Sequence, residues 1–122
     1  MKVKLLFLYV LVIMLYRVDD YMTEREKGLN GKLYNPNYDE EIIRLREKMQ
    51  DLCFKYNSIL PSKVEERKNL LKDMVGKIGN EYLLEQPIYF DYGDNITIGE
   101  RFYSNHGLTI LDGARVSFGD DV

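Results

Sequence analysis

The sequence has few of the residues from which disulfides, metal centres and nucleic-acid surfaces are built. It contains one cysteine, one histidine and no tryptophan among 122 residues. A single cysteine excludes an internal disulfide and leaves no cysteine-based metal framework, so we predict no metal site. Such a chain suits a reducing compartment, and we expect it in the cytoplasm. The formal net charge is -3 and no basic stripe is present, so we do not expect nucleic acid as a partner.

A hydrophobic extension, residues 1–21, stands apart from the rest of the chain. Residues 5–16 carry no charge and are followed by Arg17. This run resembles the apolar part of a signal peptide, but it is shorter than the roughly 20 apolar residues of a membrane-spanning helix, and no small-residue cleavage site follows it. Three interpretations remain open: a membrane anchor, a secretory signal, or upstream sequence outside the functional protein. The first two make the protein membrane-associated or secreted. We favour the third, because a helix start follows Met22.

The region after Met22 has the patterns of short helices. Thr23 and Glu26 have the spacing of a capping box, which predicts a first helix that ends at Asn30 and Gly31. A second helix is predicted from about Asp39, with one apolar stripe. That stripe consists of Ile42, Leu45, Met49, Leu52 and Tyr56.

A third helix is predicted after Pro61, where residues 62–65 have the form of another capping box. We expect it to pair with the second helix in antiparallel orientation. Its apolar stripe consists of Leu71, Met74, Val75 and Ile78. Cys53 lies in the second helix, where we expect a small buried hydrophobic residue.

A near-repeat close to the C-terminus indicates a different kind of structure. Residues 95–102, NITIGERF, are echoed by residues 115–122, RVSFGDDV. Each copy alternates apolar and polar residues and then has a glycine, which is typical of a short strand and a turn. The spacing fits one rung of a parallel β-helix. Because roughly three rungs are needed for stability and little more than one is visible, we expect a truncated β-helix.

Two stretches of sequence carry a family resemblance. They are MTEREKGLNGKLYNP, residues 22–36, and YFDYGDNITIGERFYSNHGLTILDGARVSFGDDV, residues 89–122. From Met22 onward the chain resembles the maltose/galactoside O-acetyltransferase family of hexapeptide-repeat proteins. The resemblance implies a mixed α and β fold, with a helical cap over residues 22–80 and the first coils of a left-handed parallel β-helix over residues 81–122. It also implies a homotrimer, with active sites between subunits, that transfers an acetyl group from acetyl-CoA to a sugar.

The resemblance places four residues of this chain in the site where the sugar acceptor reacts. Asn105 matches the asparagine whose amide stabilises the reacting centre, and amide donors suit a developing oxyanion. Asp91 and Asp112 match acceptor-contacting positions, and carboxylates accept hydrogen bonds from hydroxyl groups. Asn35 falls near an acceptor-binding aspartate of the family. Gly113 stands where galactoside-type members carry a second aspartate.

Each of these residues also has a structural interpretation. Asn105 suits a turn because asparagine tolerates left-handed backbone geometry. Asp91 also fits a solvent contact at the end of a strand, and Asp112 also fits the cap of a turn. These alternatives are open from the sequence.

The family's general base is a histidine, whose pKa near neutrality suits proton transfer. The resemblance places it beyond Val122, together with most of the acetyl-CoA site, and it assigns no cofactor-binding residue here. His106 matches a variable position, and we expect it in a loop, partly exposed and without a catalytic role. We therefore expect this chain alone to be inactive. The alternatives are a non-catalytic interaction module or a helical adaptor anchored to a membrane through residues 5–16.

Overall fold

The computed structural model describes residues 2–122, and for residues 15–20 the backbone alone. Within this part of the chain, helices precede short strands, which confirms the predicted mixed α and β class. The helices are α1 (Lys2–Asp20), α2 (Glu24–Leu29), α3 (Glu40–Ser58) and α4 (Val64–Met74). The strands are β1 (Lys77–Ile78), β2 (Tyr82–Leu84), β3 (Ile88–Phe90), β4 (Ile96–Ile98), β5 (Phe102–Ser104), β6 (Leu108–Ile110) and β7 (Val116–Phe118).

The strands wind into a coil with three faces. Face one contains β1, β4 and β7, face two contains β2 and β5, and face three contains β3 and β6. All the ladders are parallel, and partners lie one repeat apart, as Tyr82 pairs with Phe102 and Ile96 pairs with Val116. The spacing of the near-repeat is therefore the length of one coil, as predicted.

The coil begins earlier than the sequence indicated. We expected little more than one rung, whereas the described residues form two three-stranded coils and the first strand of a third. Ile78, predicted on the third helix, lies on β1 and pairs with Ile98. The helix stops at Met74 because Val75 is extended and the following residues find hydrogen-bond partners in β4. Pairing with a distant strand thus overrides the helical period.

Hydrogen bonds at the helix ends confirm one predicted cap and correct another. The N–H of Glu26 donates to Thr23 Oγ1 at 3.1 Å, and the N–H of Thr23 donates to Glu26 Oε2 at 2.8 Å, as a capping box requires. The box predicted at residues 62–65 was wrong. Lys63 is the N-cap of α4, and its side chain makes no capping hydrogen bond. The helix starts one residue later than predicted because the Lys63 N–H donates to the Leu60 carbonyl in a preceding turn.

One apolar core joins the helices to the coil. Alternate strand residues point inward, and burying each side chain contributes about 1.5–3 kcal/mol. The buried strand residues include Tyr82, Leu84, Ile88, Phe90, Ile96, Ile98, Phe102 and Ile110. The helices contribute Met49, Cys53, Tyr56, Leu71 and Met74. Burial raises the pKa of the Cys53 thiol, which agrees with the hydrophobic role predicted for it.

Helix α3 closes the open edge of the first coil. Asn57 Nδ2 donates to the Ile88 carbonyl at 3.0 Å, and the Ile88 N–H donates to Asn57 Oδ1 at 2.8 Å. The Tyr56 hydroxyl donates to the Leu84 carbonyl at 2.6 Å. Unpaired strand edges attract other chains, so α3 provides the contacts that a preceding coil would otherwise supply.

The hydrophobic extension forms α1. Its described side chains, residues 2–14, are all exposed. Within the described part of the chain, none of the helices combines the length and the apolar composition needed to cross a membrane.

Candidate functional site

The corner between faces three and one brings Asp91 and Asp112 together. Asp91 follows β3 and Asp112 follows β6, and these strands pair in parallel. The N–H of Asp91 donates to Asp112 Oδ1 at 3.2 Å, and the N–H of Tyr92 donates to the same oxygen at 2.9 Å. The Asp112 carboxylate therefore joins the two coils at this corner.

Asp112 is fully buried, with an exposed fraction of 0%. Its main-chain carbonyl accepts a hydrogen bond from Asn95 Nδ2 at 2.6 Å, and its Oδ2 has no hydrogen-bond partner among the described residues. A buried carboxylate is costly unless it is hydrogen-bonded, and here Oδ1 receives those bonds. In this conformation Asp112 orients the Asp91–Tyr92 turn, and it lines neither of the two cavities beside this turn, so the geometry favours the turn-cap interpretation.

Asp91 is half-buried and lies between two cavities. One of them, which we call the corner cavity, has a volume of about 440 Å³ and is formed jointly by the cap and the coil. Its lining includes Tyr34, Pro36, Arg46, Asp91, Tyr92 and Gly113. The other has a volume of about 590 Å³ and is more apolar, with Phe54, Tyr89 and Leu111 in its wall. Asp91 can therefore offer its carboxylate to a ligand in either space.

The electrostatic environment of the corner cavity changes the ionisation of its residues. Burial raises the pKa of Asp91 above its ordinary value, the nearby Asp112 raises it further, and Arg46 acts in the opposite direction. Burial is also the main cause of a raised pKa at Tyr92. Tyr92 therefore stays protonated at neutral pH and can donate a hydrogen bond.

We expect Asp91→Asn to raise the melting temperature at pH 7. Because the pKa of Asp91 is higher in the folded than in the unfolded chain, ionised Asp91 opposes folding. This penalty is absent below the unfolded-state pKa of about 3.9, and it develops as the pH rises through the folded-state pKa. Circular dichroism melts from pH 3 to pH 8 test this. The variant's advantage is expected to vanish at pH 3, and an advantage that stays constant with pH contradicts the prediction. Asp51→Asn, on the exposed surface of α3, is the control.

Asn105 lies at a different corner, between faces two and three. Both Asn105 and its neighbour His106 are exposed. Asn105 Oδ1 accepts a hydrogen bond from the N–H of His106 at 2.8 Å. His106 Nδ1 lies 2.5 Å from the Gln86 carbonyl oxygen of the preceding coil. The predicted loop position of His106 is confirmed, and its side chain is more exposed than expected. The structure does not bring Asn105 to the corner cavity.

Asn35 is exposed and its side chain is used locally. The Asn35 N–H donates to Glu24 Oε2 at 2.5 Å, and its Oδ1 accepts from the Asn37 N–H at 3.3 Å. Its neighbours Tyr34 and Pro36 line the corner cavity instead. The structure thus brings the predicted segment to the cavity through different residues.

Sequence reasoning missed Tyr34, Arg46 and Tyr92 as cavity residues. Tyr34 and Tyr92 are adjacent in sequence to the predicted site residues Asn35 and Asp91. This adjacency indicates where they lie but not that they line a cavity. Arg46 lies among the mixed charges of α3, where nothing distinguishes it from a solvated residue. Among the described residues, no group of three or more His, Cys, Asp or Glu side chains is placed to hold a metal ion.

Comparison with known proteins finds relatives over most of the chain. The maltose acetyltransferase hexapeptide capping motif matches residues 27–79. Galactoside O-acetyltransferase of Escherichia coli strain K12 is 41% identical over 101 residues, which are 83% of this chain and 48% of that protein. A putative acetyltransferase of Saccharomyces cerevisiae is 38% identical over 91 residues, which are 75% of this chain and 46% of that protein. The chain spans about half the length of the curated relatives it matches.

Solved structures share the fold. A maltose O-acetyltransferase from Clostridium difficile 630 gives a TM-score of 0.79 at 38% identity, covering 82% of this chain and 53% of that one. Galactoside acetyltransferase in complex with coenzyme A gives a TM-score of 0.74 at 38% identity, covering 80% of this chain and 48% of that one. The expected helical cap and first coils of a left-handed parallel β-helix are confirmed. Over most of its length the chain is therefore similar to the maltose and galactoside O-acetyltransferases, and it carries the hexapeptide capping motif of the maltose acetyltransferases.

Proposed function

We propose that this chain supplies the acceptor-binding corner of a sugar O-acetyltransferase, which transfers an acetyl group from acetyl-CoA to a sugar hydroxyl. The observation that carries the proposal is the position of Asp91, half-buried on a cavity that cap and coil form together. A volume of about 440 Å³ lies in the range of small-molecule sites. Such a space admits one sugar ring.

The chemistry of the lining suits a neutral polyhydroxyl ligand. The carboxylate of Asp91 accepts hydrogen bonds, the guanidinium of Arg46 donates them, and tyrosine hydroxyls do both. The two opposite charges face one cavity, so an uncharged sugar meets both donors and acceptors there. In this proposal Asp91 binds the acceptor, and Asp112 positions the Asp91–Tyr92 turn.

We assign Asn105 a supporting role in the transfer step. Its amide oxygen is occupied by the His106 N–H, which directs the amide NH₂ group away from that bond. An amide donor stabilises the oxyanion that forms on the acetyl carbonyl when the sugar oxygen attacks its carbon and the general base takes the hydroxyl proton. Collapse of this oxyanion breaks the carbon–sulfur bond and releases coenzyme A as the thiolate. His106 is not proposed as the base, because it corresponds to a variable position of the family. Asn35 contributes to the acceptor site through the loop that carries Tyr34.

We further propose that the protein assembles as a homotrimer and acts in the cytoplasm. Support for assembly comes from large side chains that are exposed on the coil, Tyr89 at 52%, Tyr103 at 55% and Leu111 at 72%. Exposed apolar surface of this kind marks interaction sites. Support for a reducing compartment comes from the one cysteine, which is free and buried.

Titration of the full chain with maltose, glucose and a methyl galactoside tests the acceptor site without requiring turnover. Saturation-transfer NMR gives the dissociation constants. A hydrogen bond to a charged group contributes about 1.5–3 kcal/mol, so we expect Asp91→Asn to weaken binding by about tenfold or more. Asp51→Asn is the matched control and should bind as the wild type does. Equal affinity of Asp91→Asn and wild type, or no binding of any of the three sugars, contradicts the proposal.

A further inference from the structure

The side chain of Tyr34 packs closely against two glycines at the corner cavity. A Cβ atom at Gly28 would lie 3.2–3.3 Å from three atoms of the Tyr34 ring, and a Cβ atom at Gly113 would lie 2.6 Å from the Tyr34 hydroxyl oxygen. The ring therefore packs on Gly28, and the hydroxyl occupies the place where a side chain of residue 113 would begin. Any larger residue at 113 competes with this hydroxyl for the same space.

Backbone conformation does not explain these glycines. The glycines of the described chain with positive φ are Gly31, Gly93 and Gly107. Gly28 and Gly113 are not among them, so their φ values are accessible to other residues. What they have in common is contact with Tyr34. This points to the placement of Tyr34 as the reason for two small residues that are 85 positions apart.

We infer that Tyr34 determines acceptor selectivity in the corner cavity, by presenting its hydroxyl to one hydroxyl group of a neutral sugar. The inference rests on the proposed function. A phenol both donates and accepts hydrogen bonds without carrying charge, and Asp91 and Arg46 line the same cavity. The sugar therefore meets one carboxylate, one guanidinium and one phenol. Tyr34 selects for the sugar hydroxyl that it contacts.

A scan with monodeoxy glucosides tests the contact. A neutral hydrogen bond contributes about 0.5–1.5 kcal/mol, so Tyr34→Phe should weaken glucoside binding by about 2- to 10-fold. In the wild type, one monodeoxy glucoside should bind less tightly than the parent glucoside. In Tyr34→Phe the same two ligands should bind equally tightly, because the phenolic hydroxyl that would contact the missing sugar hydroxyl is already absent. If Tyr34→Phe weakens all the deoxy compounds in the same proportion, Tyr34 has only a structural role and the inference is wrong.

A second pair of variants tests the geometry itself. In the wild type, Gly113→Ala should displace the Tyr34 hydroxyl and weaken sugar binding about as much as Tyr34→Phe does. In a Tyr34→Phe background the nearest ring atom is Cζ at 3.8 Å, an ordinary contact, so Gly113→Ala should cost neither melting temperature nor affinity. If the double variant loses as much affinity and melting temperature as the sum of the losses in Gly113→Ala and Tyr34→Phe, the inference is wrong.

These experiments separate the two proposals. If the wild type binds sugar and Asp91→Asn weakens it, while Tyr34→Phe shows no coupling with any deoxy sugar, the inference fails and the acceptor site stands. If the wild type binds no sugar, the acceptor site fails. In that case coupled melting temperatures of the Gly113 and Tyr34 variants would confirm only the packing, and the selectivity role would fall with the site.

Discussion

Gly93→Ala is expected to lower the free energy of unfolding by about 3–5 kcal/mol, because overpacking and left-handed strain each cost a few kcal/mol. Gly93 has a φ of +79°, and a Cβ atom there would lie 1.9 Å from the Met74 carbonyl oxygen and 2.5 Å from Met49 Cε. Its own carbonyl accepts hydrogen bonds from the N–H groups of Gly76 and Ile96. The backbone contact cannot move without separating the end of α4 from the first coil.

Gly107→Ala is the matched control for this prediction. Gly107 has a φ of +87°, but a Cβ atom there meets nothing within 4 Å. This variant therefore carries left-handed strain without overpacking, and about 1–2 kcal/mol is expected. Urea unfolding of both variants measures the difference. Equal losses would show that the close packing around Gly93 does not contribute.

Asp112→Ala is expected to lower the free energy of unfolding by about 2–4 kcal/mol, since hydrogen bonds to a charged group and unsatisfied buried donors are each worth about 1–3 kcal/mol. The substitution removes the acceptor of the Asp91 and Tyr92 N–H groups, which join the two coils at the candidate site. We expect sugar binding to be lost with the geometry of this turn. Urea unfolding and saturation-transfer NMR measure the two effects.

Asp112→Asn distinguishes a positioning role from direct contact with the acceptor. The amide keeps an oxygen in the place of Oδ1, so the two N–H groups keep their acceptor. Because Asp112 is fully buried, we expect this variant to retain sugar affinity within a few-fold. Loss of sugar binding at wild-type stability would show that Asp112 touches the acceptor, contrary to our assignment.

Local patterns account for the parts of the fold that were predicted. The Thr23 capping box and the apolar stripe of α3 depend on residues three or four positions apart. The coil length follows from a repeat that can be read directly from the sequence. Lys77–Ile78 could not be recognised as a strand, because two residues carry no alternation and their conformation depends on pairing with Thr97 and Ile98. The early start of the coil was missed for the same reason.

The candidate site was only partly predictable. Asp91 and Asp112 each follow a strand, and the coil repeat places them one above the other. The structure adds that Asp112 is buried, which no local feature of its sequence indicated. The contact between Tyr34 and Gly113 joins the cap to the second coil, and such a contact leaves no period or motif in the sequence.

The central claim is that the acceptor sugar binds in the corner cavity. Chemical-shift mapping on the ¹⁵N-labelled full chain, during titration with the tightest-binding of the three sugars, tests it most directly. We predict that the shifting amides cluster at Tyr34, Tyr92, Gly113 and Ala114, which line this cavity, and that Asp91→Asn suppresses them. Shifts confined to α1 or to the corner that carries Asn105, with the Tyr92 and Gly113 amides unmoved, would contradict the account.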